Sequence, residues 1–335
     1  PKSAEPHYKT GLVYLRSRNL TAAQEALTKA IEIDPGYTLA YKELGELFYQ
    51  LKQGDKAVSN YEKYLALTGK PAIGTLRYAF FLFMAKDFVR ANEAFSGLVK
   101  KDDVSPLTLR FYAISLFEVG DYQQSRSMFE RYFANAQRDE IEASDYAYFG
   151  KLLIRQNEDS LAIENLRRSI SLEKRQPDLL QLLAETYFKI KKYPEAISAY
   201  ENLIELRSKP SSQDYYSLGR AYYFNKQFEK ADTMFIKLIE LQPNMTVGYL
   251  WGARAKSNLD PESEQGLARP YYEKLIEKAS ATPEKSRNDL LEAYSYLGYY
   301  HFLKQENQLS KSDWQKVITL NPEDAKAREA LKALN

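Results

Sequence analysis

Apolar residues return along this chain at three- and four-residue spacing, in stretches of about a dozen residues divided by polar turns. In the first stretch Tyr8, Gly11, Leu12 and either Tyr14 or Leu15 share one face, which predicts an amphipathic helix. Asn19-Leu20-Thr21 breaks it, and Thr21 is expected to cap the helix that follows. That second helix carries Ala23, Leu27, Ala30 and Ile31 on one side and stops at Asp34-Pro35-Gly36, because proline cannot continue it. The pattern therefore predicts a helical hairpin.

The hairpin recurs. A small residue returns about every 34 positions, at Gly11, Gly45, Ala79, Ala113, Gly150, Ala184, Gly219, Ala253 and Gly298. A second small residue follows on the partner helix, at Ala23, Ala57, Ala91, Ser125, Ala162, Ala196, Ala231, Ala268 and Ser310. Four residues further on stands a large one: Leu27, Tyr61, Phe95, Phe129, Leu166, Tyr200, Phe235, Tyr272 or Trp314. Two helices approach closely only where side chains are short, and the large residue fills the space beside that contact. The prediction is an all-α stack of nine helix pairs, each burying its apolar face only against its neighbours. The expected pairs are 4–37, 38–71, 72–105, 106–142, 143–176, 177–211, 212–245, 246–282 and 288–322, punctuated by Pro35, Pro71, Pro106, Pro177, Pro210, Pro243 and Pro322. Three places stretch the period: Arg138–Ala143, the inner turn around Asp260-Pro261-Glu262, and the link Thr282–Asn288. Residues 323–335 form an expected terminal helix whose Ala327, Ala330, Leu331 and Leu334 cover the last apolar face. The amino end shows no such cap, so Tyr8 and Leu12 are expected to be exposed or covered by residues upstream.

Composition narrows the function. Lys and Arg total 47 against 45 Asp and Glu, so no bulk field draws the chain to nucleic acid or an anionic membrane. No apolar run approaches a membrane span. Many of the 27 tyrosines fall at repeat-core positions, and a base-stacking surface is not expected. The absence of cysteine excludes disulfides and thiolate chemistry and fits an oxidising compartment. The chain opens at Pro1 without methionine, so upstream residues are expected in the gene, either a removed export signal or further trimmed sequence; a periplasmic or envelope location is favoured over a cytoplasmic one. Its two histidines, His7 and His301, belong to opposite ends of the array and cannot share a metal or a proton relay. His301 stands three residues after Gly298, at the core-facing spacing. Asp102-Asp103 and Glu158-Asp159 read as solvated turns. No phosphate loop, nucleophile elbow or zinc-protease helix occurs. No enzymatic activity, cofactor or metal is expected.

The repeat resembles the tetratricopeptide repeat (TPR) over roughly residues 4 to 324. Its clearest copies are Tyr215, Leu218-Gly219, Tyr222, Ala231, Phe235 and Pro243, and Tyr41, Leu44-Gly45, Phe48, Ala57 and Tyr61. Gly266-Leu267-Ala268-Arg269-Pro270-Tyr271-Tyr272 looks like a variant pair of bacterial TPR proteins, with its second helix starting only shortly before Pro270. The resemblance implies a right-handed superhelix whose first helices line a concave groove, a non-catalytic scaffold for partner proteins or peptides. One TPR subtype grips chaperone tails with Lys and Asn. The matching positions here are Tyr8, Leu12, Lys42 and Glu46, so chaperone-tail binding is not expected.

Groove positions follow from periodicity: three before the small residue, one after it and five after it. They select Leu76, Phe80 and Met84 in the third pair, Arg110, Ile114 and Glu118 in the fourth, and Lys151 and Arg155 in the fifth. Later pairs give Gln181, Glu185 and Lys189, then Tyr216, Arg220 and Phe224, then Leu250, Arg254 and Asn258. Phe83, Phe117, Phe188 and Tyr223 are expected to pack between pairs. The groove thus reads as apolar early, and basic with aromatics late. That predicts an acidic or carboxylate-bearing partner. The alternative is self-association through the apolar third pair or the open amino end.

Overall fold

The computed structural model describes residues 3–100, 104–279, 284 and 286–334. Asp102-Asp103 and, from the expected link to the ninth pair, Thr282, Pro283 and Lys285 lie outside the described residues. Among the described residues there are nineteen helices and no strand, divided between two compact units, Pro1–Leu172 and Glu173–Asn335. The first unit holds α1 (Ala4–Arg16), α2 (Leu20–Ile33), α3 (Thr38–Gln50), α4 (Gly54–Thr68), α5 (Ala72–Met84), α6 (Phe88–Leu98), α7 (Pro106–Val119), α8 (Tyr122–Asn135), α9 (Ala143–Arg155) and α10 (Asp159–Leu172). The second holds α11 (Pro177–Lys189), α12 (Tyr193–Leu206), α13 (Ser212–Phe224), α14 (Phe228–Leu241), α15 (Thr246–Leu259), α16 (Arg269–Ala279), α17 (Arg287–Leu303), α18 (Asn307–Leu320) and α19 (Ala325–Ala333). Within each unit an odd helix packs on the even helix after it, and then on its sequence neighbours, giving an all-α repeat solenoid.

The recurring small residues sit where the hairpins pinch. A Cβ built on Gly45 would lie 2.6 Å from the Tyr61 ring, and one on Gly219 2.6 Å from the Phe235 ring. Gly11, Gly150 and Gly298 press in the same way on Leu27, Leu166 and Trp314. The second small residue, which in the eighth hairpin (Ala268) stands just before α16 and elsewhere on the second helix, is fully buried in all nine hairpins. Where it is serine, its hydroxyl has an acceptor: Ser125 Oγ donates to the Ala113 carbonyl at 2.8 Å, and Ser310 Oγ to the Gly298 carbonyl at 2.7 Å.

One turn geometry closes most hairpins although its sequence varies. Arg18, Lys52, Lys86, Gly120, Asn157, Lys191, Lys226 and Gln305 all take a left-handed φ of 57° to 87°. The amide after each reaches back to a carbonyl five residues earlier, as Gln53 does to Phe48 and Gln227 to Tyr222, both at 2.9 Å. This is the Schellman closure, which satisfies carbonyls orphaned at the helix end. It also corrects the expected cap of α2. The Asn19 amide already closes α1 on Tyr14, so α2 begins at Leu20 and its cap is Asn19, whose side chain accepts from the Ala22 amide at 3.3 Å. Glu158, expected in a solvated turn, instead pairs with Arg126 of α8.

The long inner turn of the eighth hairpin is organised by Asp260, a buried carboxylate accepting the amides of Gln265 and Leu267. Pro270 lies in the first turn of α16, where its missing N–H costs nothing. His301 packs inside the ninth hairpin with its Nδ1 2.7 Å from Asp313. At the carboxyl end Asp324 caps α19 through the Ala327 amide at 2.9 Å, and Ala327, Leu331 and Leu334 cover Trp314 and Val317. Among the described residues no helix is long and apolar enough to cross a membrane.

Candidate partner-binding site

The first helix of each hairpin carries the candidate positions, and the two units are taken separately. On α5 of the first unit, Leu76 and Phe80 are half-buried against the core, with Phe80 edge-on to Phe95 at 5.7 Å and to Phe111 at 5.1 Å. Met84 remains 56% exposed. Only the far end of this expected triad is therefore open. Ile114 is a correction: it is 5% exposed and packs with Leu109, Phe129 and Leu152. Helix α7 touches α5, α6, α8 and α9, and its residues from Tyr112 to Leu116 are all buried. A helix flanked by four others has no free face at that position.

The basic positions of this unit divide into satisfied and open. Arg110 is closed in-chain, with Nε 2.5 Å from Asp145 and Nη2 2.6 Å from Glu142. Arg77 similarly spans Glu46, at 2.8 and 3.1 Å from Nε. Lys151 instead lies 5.5 Å over the Tyr148 ring. The Tyr148 hydroxyl donates to Glu118 at 3.1 Å, and burial together with that carboxylate pushes its pKa up to about 12. Arg155 is exposed at the end of α9.

In the second unit Arg254 lies 4.9 Å over Trp251, and Glu292 takes its guanidinium at 2.9 and 2.7 Å. The Tyr272 hydroxyl donates to the same carboxylate at 3.0 Å. This removes Arg254 from the expected set of open cations, since its charge is spent within the chain. Leu250 is buried as well. Lys189 is exposed at the end of α11. Arg220 is different. Its guanidinium lies among four rings, Phe188 at 5.0 Å, Tyr216 at 5.3 Å, Trp251 at 5.4 Å and Phe224 at 5.9 Å. Its Nε is buried and finds no hydrogen-bond partner among the described residues. Phe224 is 40% exposed, stacked on Tyr193 at 5.6 Å. The structure thus brings Tyr216, Arg220 and Phe224 together.

Trp251 was not among the sequence candidates, yet it touches Tyr223, Phe224, Arg220 and Arg254. Its signal was its place two residues before the small Ala253. Phe111 and Tyr148 hold the same place and turn toward the preceding first helix, onto Phe83 and Phe117.

Tetratricopeptide-repeat family models match residues 8–72, 177–210 and 215–245. The solved C-terminal part of a TPR repeat-containing protein from Cytophaga hutchinsonii is 34% identical, covering 76% of this chain and 99% of its own, with a TM-score of 0.62. The chain belongs to the tetratricopeptide-repeat family. A TPR protein from Parabacteroides merdae is 16% identical, over 76% of this chain and 99% of its own, at a TM-score of 0.47. YrrB, described as a TPR protein with an unusual peptide-binding site, is 18% identical over 68% of this chain and 97% of its own, at 0.40. None of the curated proteins matches the sequence. TPR proteins are in general protein-interaction scaffolds, and in this TPR chain the first-helix faces of α5 and α13 leave apolar side chains in water.

Proposed function

We propose that this TPR protein is a non-catalytic scaffold that holds a protein or peptide partner along its first-helix faces, as part of a bacterial cell-envelope assembly. One observation carries the reading. Phe224 stays 40% exposed although the rings of Phe188, Tyr193, Tyr223 and Trp251 surround it. A rigid aromatic shelf left in water beside a cation suits recognition better than internal stability. In the second unit Arg220 of α13 supplies positive charge beside this shelf, which supports an acidic partner.

The test is a pull-down comparing wild type with Phe224→Glu and Met84→Glu, each checked for native helicity. Loss of partners from one or both variants is expected. Retention of the same partners by both would dismiss the reading. A second reading is favoured by α5, where Ile73 is 86% and Met84 56% exposed on one stripe three turns apart. It has this stripe join two copies of the chain. Light scattering over a concentration series would then show association that Met84→Glu abolishes; a strict monomer sinks it.

A further inference from the structure

Four arginines of the first helices lie on aromatic ring faces, and three of them also meet a carboxylate. Arg77 lies over Tyr49 and Phe81 at 4.8 and 4.9 Å and spans Glu46. Arg110 lies 5.8 Å from Phe111 and meets Asp145 and Glu142. Arg254 lies over Trp251 and spans Glu292. The chain therefore builds one motif repeatedly: a guanidinium with its faces on rings and its edge on a side-chain carboxylate. Arg220 has the largest set of rings and lacks the carboxylate.

The register explains the gap. Arg220 and Arg254 each directly follow the small residue of their helix. Arg254 finds Glu292 six residues before Gly298 on the next first helix, and the matching residue six before Ala253 is Val247. Glu185, which matches Arg220 one hairpin earlier, accepts from the Gln181 side-chain Nε2 at 2.9 Å. Rings occupy only the faces of a guanidinium and leave its N–H edge to an acceptor. The Nε is buried without one, while the residue as a whole remains partly exposed.

We infer that an Asp or Glu side chain of the partner seats on the terminal N–H groups of Arg220, which are not buried as its Nε is, with a neighbouring large apolar side chain of the partner on Phe224. This rests on the reading of the first-helix face as partner-binding and names the chemistry of its central contact. A side-chain carboxylate fits because that is what closes the three sister arginines.

The test is selection from a random-peptide display library on the whole chain, wild type against Arg220→Gln and Arg220→Lys. Peptides retained by wild type are expected to share an Asp or Glu beside a large apolar residue, and that acidic preference should vanish on Arg220→Gln. Replacing the shared Glu of a selected peptide by Gln should weaken binding to wild type about tenfold or more by calorimetry. That arm stands even if Arg220→Gln fails to fold. Selected peptides without a fixed acidic position, or equal binding of the Glu and Gln peptides, would overturn this inference and leave the scaffold reading intact. Failure of wild type to enrich any peptide would overturn both.

Discussion

Gly219→Ala and Gly97→Ala make the same chemical change in a helix and should have opposite effects. A Cβ on Gly219 would sit 2.6 Å from Phe235 Cε1, about 0.8 Å inside the 3.4 Å where ordinary contact begins. Phe235 is fully buried, and the Trp251 ring also packs on it at 6.0 Å between ring centroids. The ring has nowhere cheap to go. Overpacking of this kind costs about 1–3 kcal/mol, against a gain of about 1 kcal/mol for replacing glycine inside a helix. A net loss of about 1 kcal/mol is expected. Gly97, in α6, is exposed, and a Cβ there meets nothing within 4 Å. Only the propensity gain remains, about 0.5–1 kcal/mol. In a repeat array each hairpin answers chiefly to its neighbours, so the assay is hydrogen exchange by mass spectrometry on peptides from α13–α14 and from α6. Exchange should quicken about fivefold in the first variant and slow in the second. Protection of α13–α14 by Gly219→Ala, or the same sign at both sites, would refute the close-approach argument.

Other predictions follow from buried polar groups. Asp145 has a fully buried side chain that accepts from Arg110, from the Tyr132 hydroxyl at 2.8 Å and from the Glu142 amide at 2.9 Å. Asp145→Asn leaves Arg110 half-paired and should cost about 3 kcal/mol in denaturant titration of the first unit; a loss under about 1 kcal/mol would contradict the network. Burial alone would raise the Asp214 carboxyl, but Arg207 and the amide and hydroxyl of Ser211 overcome it and hold it below the usual aspartate value. A depressed folded pKa gives stability that is present above the unfolded value and lost as pH falls through the folded one. Protection around α12–α13 should therefore drop on acidification below about pH 4, and Asp214→Asn should flatten that dependence; an unchanged acid profile would argue against it. Ser125→Ala should change stability by less than about 1 kcal/mol, because seven other hairpins hold alanine there. Ser125→Val should cost about 1–3 kcal/mol by overpacking, and equal melting of the two variants would show the pinch to be loose.

The candidate site was legible only in part. Periodicity selected Met84, Arg155 and Phe224, which stand in water, since the face a residue shares with its own helix follows from spacing alone. It also selected Ile114 and Arg254, whose fate depends on helices more distant in the chain. Ile114 is sealed because α5 and α9 both flank α7. Arg254 is neutralised by Glu292, 38 residues away. No local pattern reports that pairing.

By itself the sequence determined the hairpins. The small residue, its buried follower and the large residue beyond are set by how two adjacent helices pinch, a contact repeated at fixed spacing and so written as a period. The closing turn was not legible in the sequence: Arg, Lys, Gly, Asn and Gln all take the left-handed position, because the helix-end carbonyls must be satisfied whichever residue stands there, and that closure moves the cap of α2 from Thr21 to Asn19. Tertiary structure alone decided which charges remain open to a partner. Arg77, Arg110, Arg220 and Arg254 all stand within three residues of the small residue of a first helix. Three face carboxylates brought in from neighbouring hairpins and one faces only rings, because ion pairing depends on register between helices and not on order within them.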